Sequence, residues 1–225
     1  MKPVLIVDCY VEGDGAENYR RLLPGQPISV WRAIEEPRPK DLSEFAAIMI
    51  TGSAACVTAP EPWMSPMAAV LREASDQNLP IFGICFGHQM IAYALFGPNA
   101  VQKSKTPELG WTDIEVMHSE SIFETLEGGF NTFESHFDEV VAQPGMVVLA
   151  RSSRCKVQSY RVEGRPIWGV QFHAEMDQSE AERLLAIRIG GRPDLGFDLK
   201  SKLQEARDST GLAQKIMGNF FTAVR

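Results

Sequence analysis

The sequence predicts an α/β fold: a mainly parallel central sheet flanked by helices, with an antiparallel section added. Three observations lead there. Apolar runs at residues 4–7, 45–50 and 80–84 do not alternate, as expected of strands covered on both faces. Between the second and third, apolar residues recur at helical spacing. Later segments alternate polar and apolar residues, the mark of strands with one wet face.

The elements follow in chain order. Residues 4–7 (Val-Leu-Ile-Val) form the first strand, and the run at 45–50 leads into Thr51-Gly52-Ser53. Met67, Val70, Leu71 and Ala74 then fall at i, i+3, i+4 and i+7, and Pro66 sits where a first helical turn tolerates it. With the run at 80–84, residues 45–84 read as strand, helix, strand, a βαβ unit with parallel strands. A helix follows Cys85, with Ile91, Ala94 and Leu95 inward and a stop near Gly97-Pro98. Residues 111–117 alternate at their centre. Residues 146–150, 157–162 and 167–172 are further strands, the last two joined through Glu163-Gly164-Arg165 as a hairpin. Ser179 and Glu182 read as an S-x-x-E capping box for a helix stopped by Gly190-Gly191. Leu212, Ile216 and Phe220 predict a final amphipathic helix, docked on the core. No repeat, low-complexity tract or linker divides the chain, so residues 1–225 are expected to form a single domain.

Composition narrows the function. Hydrophobic residues at 44% and charged residues at 23% are ordinary for a globular chain, which excludes global disorder. A net charge of −7 argues against nucleic acid as the main partner. No apolar stretch approaches the ~18 residues of a membrane span. The first strand begins almost at once and Asp8 interrupts it, leaving no room for a signal peptide. Cys9, Cys56, Cys85 and Cys155 are widely spaced with no CxxC pair, which reads as reduced thiols in a cytoplasmic protein.

The chemistry concentrates at Gly83-Ile84-Cys85-Phe86-Gly87-His88-Gln89. A buried strand ends in cysteine and a helix starts directly, with glycines two residues either side. This is the pattern of a nucleophile elbow, in which small neighbours allow a sharp turn that projects the thiol at a helix N-terminus. The N–H of Phe86 lies where it can donate to a forming oxyanion. A base is needed, and Gln171-Phe172-His173-Ala174-Glu175 offers one. Strand side chains repeat every two residues, so His173 and Glu175 can share a face, the carboxylate orienting the imidazole. His88 follows Cys85 by three positions, but without a second Cys/His pair no metal site is expected.

These two motifs resemble those of the class I (triad-type) glutamine amidotransferases. Thr51-Gly52-Ser53 is similar to that family's oxyanion loop, and Glu108-Leu109-Gly110 to a segment after its nucleophile helix. Ser135-His136-Phe137-Asp138 resembles the Ser-His-x-Asp segment of the glutamine-hydrolysing domain of GMP synthase. The match runs from about residue 45 to 176.

The resemblance implies a flavodoxin-like sheet and a cysteine-dependent hydrolysis of the γ-amide of glutamine without a cofactor. Cys85 would form a γ-glutamyl thioester, His173 would shuttle protons and Glu175 would orient it. Phe86 with Gly52 or Ser53 would form the oxyanion hole. Gln89 would bond the amino-acid end of the substrate. Backbone groups of Ser135, His136 and Phe137, read as a loop, would hold its charged ends. The family usually shows Gly-Gly-Pro where this chain has Gly52-Ser53-Ala54, yet a backbone N–H survives the change. No ATP-binding glycine-rich loop is visible. Ammonia would therefore pass to a separate synthetase subunit, or the enzyme would simply hydrolyse a γ-glutamyl bond.

The alternative close in chemistry is a γ-glutamyl peptide hydrolase using the same three residues. A redox chaperone or deglycase of related fold would place histidine directly after the cysteine, where Phe86 stands. A binding protein with an idle site would have no use for Cys85, His173 and Glu175 together.

Overall fold

The computed structural model describes residues 1–205 and 211–224. Nine strands form one sheet in the order β2-β1-β3-β4-β9-β8-β7-β5-β6. β1 (Val4–Asp8), β2 (Ile28–Arg32), β3 (Ala47–Ile50) and β4 (Ile81–Ile84) run parallel, and β9 (Ile167–Val170) continues that direction beside β4. β8 (Ser159–Val162), β7 (Met146–Arg151), β5 (Val101–Val116) and β6 (Phe130–Val140) extend the sheet by antiparallel pairing. The sheet is therefore not mainly parallel: four of its pairings are parallel and four antiparallel. The connections between β5 and β9 hold no α-helix to carry the chain across the sheet, so these strands pair antiparallel.

Alternation explains the two buried faces. Leu5 and Val7 of β1 face one core; Val4 and Ile6 face the other. The first core lies under α2 (Met64–Asp76) and α3 (Phe86–Phe96), and all four predicted α2 positions, Met67, Val70, Leu71 and Ala74, are buried in it. The second lies under α1 (Glu17–Leu22) and α6 (Leu212–Ala223), where Ile216 and Phe220 are fully buried. A third, smaller cluster joins α4 (Gln178–Gly190) and α5 (Leu199–Gln204) to Leu109, Trp111 and Phe133 on β5 and β6. Among the described residues no helix is long and apolar enough to cross a membrane.

Three further corrections concern local structure. The capping box of α4 is Asp177 with Glu180, two residues before the Ser179–Glu182 match: Asp177 Oδ1 accepts from Glu180 N–H at 2.9 Å and Glu180 Oε2 accepts from Asp177 N–H at 2.9 Å. Asp177 has the extended backbone an N-cap needs, while Ser179 is already helical. Of residues 111–117, 111–116 are only the end of the sixteen-residue β5, and Met117 lies past it. Residues 135–137 lie in the strand β6, not in a loop.

Candidate active site

The site forms where β4 turns into α3. Cys85 has φ 51° and ψ −103°, left-handed backbone that costs a non-glycine residue of order 1–3 kcal/mol. Both flanking glycines are required by packing. A Cβ on Gly83 would come within 2.5 Å of the Gly87 carbonyl carbon, and one on Gly87 within 2.7 Å of the Ile50 carbonyl oxygen. Cys85 N–H donates to Val170 O at 2.8 Å and Gln89 N–H donates to Cys85 O at 3.1 Å, so the elbow is tied to β9 and to the first turn of α3. The Phe86 N–H belongs to the first turn of α3, whose donors have no intrahelical acceptor.

Gly52 follows β3 at the same edge. A Cβ there would lie 2.9 Å from His173 Cε1 and 3.9 Å from Cys85 Cβ. One small residue thus sits against both side chains. His173 follows β9 and is anchored by its N–H, which donates to Phe133 O on β6 at 2.9 Å. Its Nδ1 is 2.7 Å from Glu175 Oε1, and both side chains are buried. Burial works against a charged imidazole, but the Glu175 carboxylate and the Cys85 sulfur more than offset it. His173 is held well above the usual histidine range. Cys85 Sγ is 3.9 Å from Ser135 O, which brings the middle of β6 to the thiol.

The other predicted residues divide. Ser53, Phe86, Gln89, Ser135, His136 and Phe137 all line a small cleft of ≈ 30 Å³ over Cys85. Gln89 is already engaged: its Nε2 donates to Asp138 O at 2.9 Å and to Gln171 Oε1 at 3.0 Å, which leaves only its carbonyl oxygen for a ligand. The His136 imidazole reaches inward, with Nε2 3.0 Å from Glu108 Oε2 and Nδ1 3.0 Å from Asp138 O. Ser135 Oγ is buried without a partner, and Phe137 stacks under Arg192, whose Cζ is 5.0 Å from the ring centre.

A buried polar network carries no overall signature in the sequence. Glu108 accepts from Ser152 Oγ at 2.7 Å and from Gln158 Nε2 at 2.8 Å as well as facing His136. Glu134 lies 3.6 Å from His136 Nε2, and neither carboxyl oxygen has a partner. Burial and the neighbouring Glu108 push its pKa well up. Glu108, His136 and Cys155 offer ligand atoms within 4.8 Å of one another. Ser152, Gln158 and His136 already occupy the Glu108 oxygens, so the donor set fits a hydrogen-bond network better than a metal. Asp138 accepts from Thr58 N–H at 3.1 Å and Thr58 Oγ1 at 2.9 Å, pinning the loop after Gly52 to β6. Glu108 and His136 are visible in the motifs of the sequence; Glu134, Thr58 and Gln158 carry no signal there.

Comparison with known proteins bears on this geometry. Residues 7–188 match the family model "Glutamine amidotransferase class-I". One of the subunits of the glutamine-hydrolysing GMP synthase of Thermoplasma acidophilum is 35% identical over 165 residues, covering 68% of this chain and 80% of the relative. The protein of the same name from Saccharolobus solfataricus is 34% identical over 142 residues, covering 63% and 73%. Among solved structures, a glutamine amidotransferase from Methylobacillus flagellatus superposes with a TM-score of 0.80 at 23% identity, covering 100% of this chain and 96% of that one.

Proposed function

The chain belongs to the class I glutamine amidotransferases, a family of glutamine-hydrolysing enzymes, and from that premise we propose that Cys85, His173 and Glu175 are its catalytic residues. Cys85 attacks the γ-amide carbon of glutamine. The oxyanion meets the N–H of Phe86 and that of Gly52 or Ser53. His173 protonates the departing ammonia, leaving a γ-glutamyl thioester, and then takes a proton from the water that releases glutamate. Glu175 holds the imidazole in the working orientation. The step draws only on side chains, backbone and water.

The observation that carries this reading is the convergence at Gly52. The elbow cysteine and the Glu175-bound imidazole meet at one backbone position of the loop that would hold the oxyanion. Ser135, His136 and Phe137 contribute to substrate binding through their backbone and the cleft wall, and Gln89 through its free carbonyl oxygen. A separate synthetase subunit is the proposed recipient of the ammonia, on the strength of relatives that are each named as one part of a GMP synthase. Residues 1–225 are taken as one domain, and the free cysteines fit the cytoplasm.

The test is release of ammonia and glutamate from glutamine. The wild-type chain is expected to release both in equal amounts, and Cys85→Ala to lose at least ~1000-fold in rate. Added hydroxylamine should divert the wild-type product to γ-glutamyl hydroxamate. Full turnover by Cys85→Ala would overturn the assignment. A second reading, hydrolysis of a γ-glutamyl peptide bond by the same residues, is favoured by the room beside His173.

A further inference from the structure

Two of the three hollows that touch the proposed triad meet at the Gly52 loop; the third, of ≈ 300 Å³, lies against His173 and Glu175 beside Trp111 and Phe133. The cleft over Cys85 is small, ≈ 30 Å³. On the other side of the Gly52 loop, against His173, lies a groove of ≈ 760 Å³. That volume is in the range of small-molecule sites, about 300–1,000 Å³, whereas a departing ammonia needs almost none. The thiol borders the small cleft and the imidazole borders the groove, so the room for a bulky leaving group lies on the imidazole's side. Ser53, Ala54 and Arg188 line both hollows.

The α4 wall of the groove carries apolar and charged side chains together. Val11 (54% exposed) and Ile187 (65%) are two of four exposed large apolar side chains among the described residues, and both line the groove with Met176 and Leu184. Most acids of the groove already have partners: Asp14 and Glu17 pair with Arg20, and Glu180 pairs with Arg21. Arg183 and Arg188 form no ion pair among the described residues, and Arg188 Nε is buried with no partner. They stand on α4 five residues apart; Arg188 lines both hollows and Arg183 the groove alone, and Glu12 is the groove acid with no ion pair among the described residues.

We propose that this groove is a leaving-group subsite for an amino acid, so that beside glutamine the triad accepts a γ-glutamyl amino acid with an apolar side chain, its free carboxylate bound by Arg188 and Arg183. The inference rests on the triad assigned above. In the balanced step the bond between the γ-carbonyl carbon and the amino acid's nitrogen breaks. His173 gives that nitrogen a proton, and one water replaces it on the acyl group, yielding glutamate and the free amino acid. The apolar side chain lies along Val11, Leu184 and Ile187.

The test compares γ-glutamyl-leucine, γ-glutamyl-leucinamide and glutamine. The wild-type chain should favour the acid dipeptide over its amide by about 10- to 100-fold in kcat/KM, the worth of a charge-assisted hydrogen-bond pair. In Arg183→Gln,Arg188→Gln the acid-to-amide ratio should collapse to within about 3-fold, and the double lysine variant should restore part of it. Calorimetric binding of the same compounds to Cys85→Ala separates the two assignments. Arg-dependent binding of the dipeptide with no turnover by the wild type would remove the triad and leave the subsite. Glutamine turnover with equal handling of acid and amide, or no dipeptide binding, would overturn the subsite and leave the triad.

Discussion

His88 lies three residues past the proposed nucleophile and takes no part in the proposed chemistry. It is fully buried, its ring 4.8 Å from that of Tyr160, whose hydroxyl donates to His88 O at 2.9 Å. A Cβ on Gly169 would fall 2.6 Å from His88 Nδ1, so the imidazole fills the space that this glycine leaves open. Burial lowers its pKa to about 3. Because the folded value lies below the unfolded one, the unfolded chain binds the extra proton first as pH falls. His88 therefore contributes stability that is present above pH ~6.5 and is lost progressively toward pH ~3. Between pH 7 and 4.5 this one group should cost roughly 2–3 kcal/mol, at 1.36 kcal/mol per unit. Urea unfolding at the two pH values should show that loss in the wild type and its absence in His88→Gln. An equal slope in both would mean that water or backbone compensates the ring's charge. The residue type alone invites a metal-ligand reading; burial on a helix facing the sheet assigns it to packing.

At the scale of elements, the legible parts of the sequence are those in which one chemistry repeats. The apolar runs of β1, β3 and β4 and the 3–4 spacing in α2 have a single period, and each lies close to its expected place. β6 has no such signature, because Thr132, Glu134, Ser135, His136 and Asp138 are polar and buried on both faces of one strand. Of these, Asp138 and His136 are satisfied by distant partners, Thr58 and Glu108, while the side chains of Thr132, Glu134 and Ser135 are buried without one, and no local pattern encodes either outcome. β2 and the short α1 lack any strong run. The capping box of α4 is legible in kind but ambiguous in place by two residues, since Asp177-x-x-Glu180 and Ser179-x-x-Glu182 overlap. The elbow tests the element argument directly. Gly83→Ala would set a methyl 2.5 Å from the Gly87 backbone, an atom that cannot rotate away, and would push α3 off β4. The variant should lose about 1–3 kcal/mol of stability, as overpacking usually costs, and most of its glutamine turnover. Denaturant midpoints and rates check it. Retained activity would mean that the elbow tolerates a shift of the helix.

At the scale of the whole molecule, two differently built halves of one sheet have to meet. The parallel half supplies Cys85 and the Gly52 loop at strand ends, the edge where open α/β sheets gather their ligands. The antiparallel half supplies the β6 wall, and β9, paired to both, supplies His173. What holds the seam from behind is α6, far in sequence from the elbow. Phe220 sits 5.4 Å from the Phe82 ring on β4 and 5.7 Å from the Trp168 ring on β9. It is fully buried, so one side chain packs across the two strands that carry the proposed nucleophile and base. Phe220→Ala should cost about 3–5 kcal/mol, the usual range for emptying a buried aromatic site. At about 2–4 °C per kcal/mol for a chain of this size, that is a fall of roughly 6–20 °C in Tm. If the seam is what aligns Cys85 with His173, kcat/KM for glutamine should fall well below the transition, at temperatures where circular dichroism still reports a folded chain. Activity that stays at the wild-type level until the variant melts would show that the β4–β9 hydrogen bonds hold the alignment without help from α6.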